Sequence, residues 1–86
     1  MVENLEEPQE FFLRIENYDH LLGRILIHSS QENDLGLSFN SEIDIVQKDS
    51  RKIWQHVGYL FRISSQEEAI ELSVQKISHF LKNEIE

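Results

Sequence analysis

The stretch Gly58–Ser73, GYLFRISSQEEAIELS, changes its structural period at the paired serines Ser64 and Ser65. Before them, Val57, Tyr59, Phe61 and Ile63 alternate with Gly58, Leu60, Arg62 and Ser64, in residue types that favour sheet. After them, Ile70, Val74, Ile77 and Leu81 recur at spacings of 4, 3 and 4, with Phe80 and Ile85 flanking the stripe. An amphipathic helix with one buried face produces that spacing. Ser65 and Glu68 have the capping-box separation, so the hydroxyl can accept from the amide of residue 68 while the carboxylate reaches back. Glu67, Glu68 and Glu71 precede Lys76 and Lys82, in the order the helix dipole favours. The pattern predicts a helix over about residues 66–84. Leu72 falls on the opposite side of the helical wheel, beside Lys76 and His79. It is either a solitary exposed leucine or a partner contact.

Upstream of Ser64, helix and strand compete. Ile43, Val46, Ser50, Ile53, Val57 and Leu60 keep helical spacing, as do Phe11, Ile15, Tyr18, Leu22 and Ile25. A three-helix bundle of about 9–29, 42–63 and 66–84 is therefore the alternative architecture. Such helices would leave Leu13, Ile27, Ile45, Tyr59 and Ile63 off the apolar stripe and be rich in β-branched and aromatic residues. As strands, Glu10–Glu16 and Leu22–His28 form a hairpin across the turn formers of residues 17–21.

The middle of the chain decides for sheet. Leu35, Leu37 and Phe39 alternate, and so do Ile43 and Ile45. A turn at Asn40-Ser41-Glu42 would set Phe39 opposite Ile43 and Leu37 opposite Ile45 on one face. Residues 29–34 and 48–51 read as polar connections. The expected fold is α+β: an antiparallel meander of about four to five strands packed on one C-terminal amphipathic helix. Residues 1–86 make a single small domain, with residues 1–8 a loose acidic segment.

The chain carries a net charge of −8, and its first twenty residues set six acids against Arg14 alone. Such a surface repels phosphate backbones and attracts, at long range, a basic protein. Cysteine is absent, which excludes a disulfide framework and thiolate metal ligands. The start is acidic where a secretory signal is basic and then apolar. The most apolar run, Leu21–Ile27, is seven residues long and holds Arg24, too short to span a bilayer. No membrane association and a cytoplasmic location are the expectations.

Motifs that carry chemistry are not found. Glycines at 23, 36 and 58 form no phosphate-cradling loop, and no serine sits in a nucleophile elbow. His20, His28, His56 and His79 lack metal-ligand spacing. In the strand reading, His28 and His56 share the outer face with Arg24 and Arg62, a composite site only if their strands are neighbours. Phe12, Leu26 and Leu60 also fall on that face as an apolar patch. Lys48, Arg51 and Lys52 form the one basic cluster, followed by Trp54, and arginine and tryptophan are frequent interface anchors. Lys48, Arg51, Lys52, Trp54 and Leu72 are the candidate partner-binding residues. No catalytic residue, cofactor or metal is expected. The expected function is a non-enzymatic acidic binding or regulatory protein, in its most concrete form an inhibitor or immunity-type protein. A structural subunit or self-associating homo-oligomeric domain is the alternative.

Overall fold

The change of period at Ser64–Ser65 is a change of backbone. The computed structural model describes residues 8–32 and 36–85, and the chain is extended up to Ile63 and helical after Ser65. Four strands, β1 (Gln9–Arg14), β2 (Leu21–Glu32), β3 (Gly36–Gln47) and β4 (Ile53–Ile63), precede one helix, α1 (Gln66–Phe80). A π-helical turn, Leu81–Ile85, ends the described chain. The strands pair antiparallel in sequence order, β1-β2-β3-β4. This is the α+β meander, and the three-helix bundle is excluded. Among the described residues no helix is long and apolar enough to cross a membrane.

Alternation sorts the sheet into two faces. On the inner face, register builds transverse rows: Phe11, Ile25 and Ile43 form one, and Leu13, Gly23 and Ile45 the next. Ile27, Ser41 and Leu60 form a third. Ile25, Ile43 and Ile45 are fully buried there, each contributing about 1.5–3 kcal/mol through removal of its side chain from water. Together with Ala69 and Ile77 of α1 they form the core.

The turn expected at Asn40-Ser41-Glu42 does not form. β3 runs straight through it, with Asn40 opposite His28 and Glu42 opposite Leu26. Leu37 therefore faces Gln31 rather than Ile45, and Phe39 faces Ser29 rather than Ile43. Leu35 of that expected hairpin lies outside the described residues. Ser41 points inward and is buried, and its hydroxyl lies 2.7 Å from that of Ser73 on α1. A polar residue in the middle of the run is thus an inward strand position whose hydrogen bond is met by tertiary structure. Residues 29–32, read as part of a connection, belong to β2. The connection at 48–51 is a turn, closed by a bond from the amide of Arg51 to the carbonyl of Gln47 at 2.8 Å.

β4 explains why helix and strand compete in the sequence. Its register with β3 shifts between Phe39 and Ser41, between Ile43 and Asp44, and between Ile45 and Val46. Each shift inserts an extra residue into β4, which moves the inward positions from period two toward period three. Val57, Leu60 and Ile63 accordingly pack on the core, while Tyr59 and Phe61 face solvent. The face assignments of Tyr59, Phe61 and Leu60 made from strict alternation are corrected by these bulges. At the shift between Phe39 and Ser41, Arg62 takes φ 58°, and its amide donates to Asn40 Oδ1 at 3.0 Å.

α1 begins where the serines place it. Ser65 Oγ accepts from the amide of Glu68 at 3.1 Å, and the Glu68 carboxylate accepts from the Ser64 hydroxyl at 2.9 Å. The buried face runs through Ala69, Ser73 and Ile77. Of the expected stripe, Ile77 is buried and Ile70 and Leu81 pack on the core, while Val74 stays over a third exposed. Small side chains at 69 and 73 let the helix lie close to the sheet, and Gly23 accommodates Ile77. A Cβ on Gly23 would stand 2.8 Å from Ile77 Cδ1. The helix lies over β2, β3 and β4 and reaches β1 at Gln9, whose Oε1 accepts from Gln66 Nε2 at 2.6 Å.

Candidate functional site

The outer face of the sheet, opposite α1, concentrates the polar chemistry. Along β3, Ile43 and Ile45 turn inward, so Glu42 and Asp44 turn outward. Register sets Asp44 directly between Arg24 on β2 and His56 on β4. Arg24 Nη1 donates to Asp44 Oδ2 at 2.8 Å, and its Nε donates to Glu10 Oε2 at 2.5 Å. His56 Nδ1 lies 2.7 Å from Asp44 Oδ1. Asp44 is fully buried, yet both carboxylate oxygens have partners, which is what makes its burial tolerable. Burial works against the charge of Arg24, but the bonds and fields of Glu10 and Asp44 outweigh it and hold its pKa above the ordinary value.

Two chemistries fit this network in outline. An aspartate that holds one imidazole nitrogen is the orienting half of a general-base system. Its working half would be a nucleophile or substrate at the other nitrogen. The ring recorded beside His56 is that of Tyr59, with centroids 4.7 Å apart. Glu42, Asp44 and His56 also bring one ligand atom each within 4.8 Å of one another. Carboxylate and imidazole suit a divalent cation. Arg24 already supplies the positive charge at Asp44, however, and would repel a metal ion there.

Beside the network runs a row of solvent-facing rings. Tyr59 stacks on Phe61 with centroids 5.9 Å apart, continuing the His56–Tyr59 contact. Tyr59 is 53% exposed and Phe61 66% exposed. Glu42 lies opposite Tyr59 on the neighbouring strand. The bulges in β4 bring Tyr59 and Phe61 outward together while the core contacts are kept.

The candidate residues at the β3–β4 turn have separate fates. Arg51 takes φ 64° and lays its guanidinium 4.5 Å above the Phe12 ring on β1. The span from that turn to β1 crosses the outer face over β2 and β3, where Leu22 and Val46 are buried. Lys48 and Lys52 are exposed, and their amides anchor the turn to His20 O and Ser50 Oγ. Trp54 sits in one of the register shifts and lines a shallow hollow with His20, Leu21, Gln47 and Asp49. Leu72 is half-buried in a groove between α1 and β4 with Val57, Leu60 and Phe80. Lys48, Arg51, Lys52 and Trp54 are thus neighbours along the chain, and Leu72 lies on the helix side of the sheet. The composite of His28 and His56 does not form, because β3 separates their strands and His28 faces Asn40.

Glu10, Glu42, Asp44, Tyr59 and Phe61 were not singled out by sequence reasoning. Acids flanking Ile43 at period two mark an outer face once β3 is known to be one strand. Pairing Asp44 with Arg24 and His56 requires the register, which no local pattern encodes.

No protein-family model matches the chain, and neither a curated protein nor a solved structure does.

Proposed function

We propose that the chain is a non-enzymatic protein-binding domain that takes a basic partner on the outer face of its sheet. The observation that carries this reading is the exposed row His56–Tyr59–Phe61 beside Glu42. Aromatic faces next to carboxylates suit arginine and lysine side chains, through stacking and charge together. The net charge of −8 adds long-range attraction toward such a partner. An inhibitor that covers a cationic functional surface is the concrete form. Holding Asp44 between its ion pair with Arg24 and its contact with His56 supports a binding role for the network, because a buried, partnered carboxylate stiffens the strands that carry the rings.

A titration of the isotope-labelled protein with a short arginine-rich peptide tests this by nuclear magnetic resonance. The expected result is shift changes centred on Glu42, His56, Tyr59 and Phe61, weakening as salt is added. The double substitution Tyr59→Ala with Phe61→Ala should remove them. Changes confined to the acidic start of α1, at Glu67, Glu68 and Glu71, would overturn the reading, and so would a flat titration.

A further inference from the structure

β1 is an edge strand, with no pairing partner on its outer side among the described residues. Its register with β2 is regular over all six residues, so its outer edge is straight. β4, the other edge, is broken by three register shifts, which twist it away from regular pairing. The inner face of β1 is also incomplete. α1 reaches it at Gln9, whose Oε1 accepts from Gln66 Nε2 at 2.6 Å, and farther along a groove lined by Leu13, Arg14, Val74, Ile77 and Leu81 runs between them.

The sequence of β1, Gln-Glu-Phe-Phe-Leu-Arg, is self-complementary when laid antiparallel on itself with Phe12 opposite Phe12. Glu10 of each copy then meets Arg14 of the other on the outer face, and Phe11 meets Leu13 on the inner face. Moving the register two residues either way sets Glu10 or Arg14 against Phe12. A one-residue slip would put the two helices on opposite faces of the sheet. Arg14 is exposed and has no ion pair among the described residues. Glu10 keeps exposed carboxylate surface despite its bond to Arg24.

We infer that β1 is a dimerisation edge whose occupant is β1 of a second copy of this chain. The two copies form one continuous eight-stranded antiparallel sheet about a two-fold axis at Phe12, with both helices on the same side. Cross-strand neighbours stand about 4.5–5.5 Å apart between Cβ atoms, within reach of a direct Glu10–Arg14 contact. Backbone ladder bonds and the apolar contacts supply the attraction. The two charge pairs select the register, since exposed pairs add little strength. The interface is isologous, as a closed dimer requires. It leaves both His56–Tyr59–Phe61 rows free at the far edges of the sheet, so it stands apart from the binding role proposed above.

Sedimentation equilibrium of two charge variants, alone and mixed, tests the pairing. Wild type should dimerise with rising concentration below about 1 mM. Arg14→Glu alone and Glu10→Arg alone each set like charges opposite and should weaken dimerisation about tenfold. An equimolar mixture of the two restores both pairs and should recover the dimer as a heterodimer. A wild type that stays monomeric, variants that dimerise like wild type, or a mixture without recovery would each overturn the inference. Circular dichroism establishes that the variants are folded, because Glu10→Arg also removes the bond to Arg24.

A second variant is independent of those charges. The chain has no cysteine, so one introduced cysteine can form a linked dimer only where a residue meets its own copy. Phe12→Cys should give a disulfide-linked dimer on mild oxidation, and Phe61→Cys on β4 should not. The reverse outcome would place the contact on the other edge.

Discussion

Ser73 Oγ lies 2.7 Å from Ser41 Oγ and donates at 2.7 Å to the carbonyl of Ala69, all inside the seam between helix and sheet. A hydroxyl has one proton, so Ser73 spends its own on Ala69 and Ser41 must donate to Ser73. The pair is therefore directional, and the two alanine substitutions are unequal. Ser73→Ala strands the buried Ser41 donor and should cost about 1–3 kcal/mol. Ser41→Ala leaves the bond to Ala69 intact and should cost about 0.5–1.5 kcal/mol. With both hydroxyls removed, the loss should be smaller than the sum of the single losses. Urea unfolding of the three variants measures the order, and a larger loss for Ser41→Ala would reverse the assigned direction.

Gly23 and Ile77 form a second coupled pair across the same seam. Gly23→Ala pushes a methyl against Ile77 Cδ1, which must turn toward the neighbouring groove, and should cost about 1 kcal/mol. Ile77→Val removes that atom and alone should cost about 0.5–1.5 kcal/mol. Combined, the variants should be more stable than additivity requires, as a thermal-unfolding cycle would show.

On the outer face, Asp44 is held in place by its partners. Asp44→Ala leaves the half-buried guanidinium of Arg24 with Glu10 alone, and we expect a loss of about 3 kcal/mol. Replacing the pair by Arg24→Met with Asp44→Leu should cost much less, since no unpaired charge remains. The sign of the Arg24 shift places its pH dependence at the alkaline extreme. A raised pKa contributes stability that is full below the ordinary arginine value and is lost only above it. Stability should thus show no arginine-linked change across neutral pH in a denaturant series.

Tyr59 and Phe61 should behave in the opposite manner. Both are mostly exposed and stand outside the core cluster, so Tyr59→Ala and Phe61→Ala should each change stability by no more than about 0.5 kcal/mol. A loss above about 2 kcal/mol in denaturant would show that the row holds the sheet together, contrary to its assignment as a contact surface.

Legibility in the sequence followed the range of the interaction. The Ser65 cap and the helix behind it rest on contacts within a few residues, and their signals stand in the chain. The span from Phe39 to Ile45 misled because Asn40-Ser41-Glu42 has turn composition. The hydroxyl partner that lets Ser41 stay inside comes from Ser73, 32 positions away. The same holds for β4. Three added residues carry the spacing of Val57, Leu60 and Ile63 between the periods of strand and helix, and only pairing with β3 reveals them.

By itself, the sequence determined the extended-to-helical switch at Ser64–Ser65 and the acidic balance, because local propensity, period and composition set these. Tertiary structure decided which side chains meet. Asp44 between Arg24 and His56, Tyr59 beside His56 and Ile77 over Gly23 depend on register and helix placement. Those are fixed by the packing of the whole core and not by any window of neighbours.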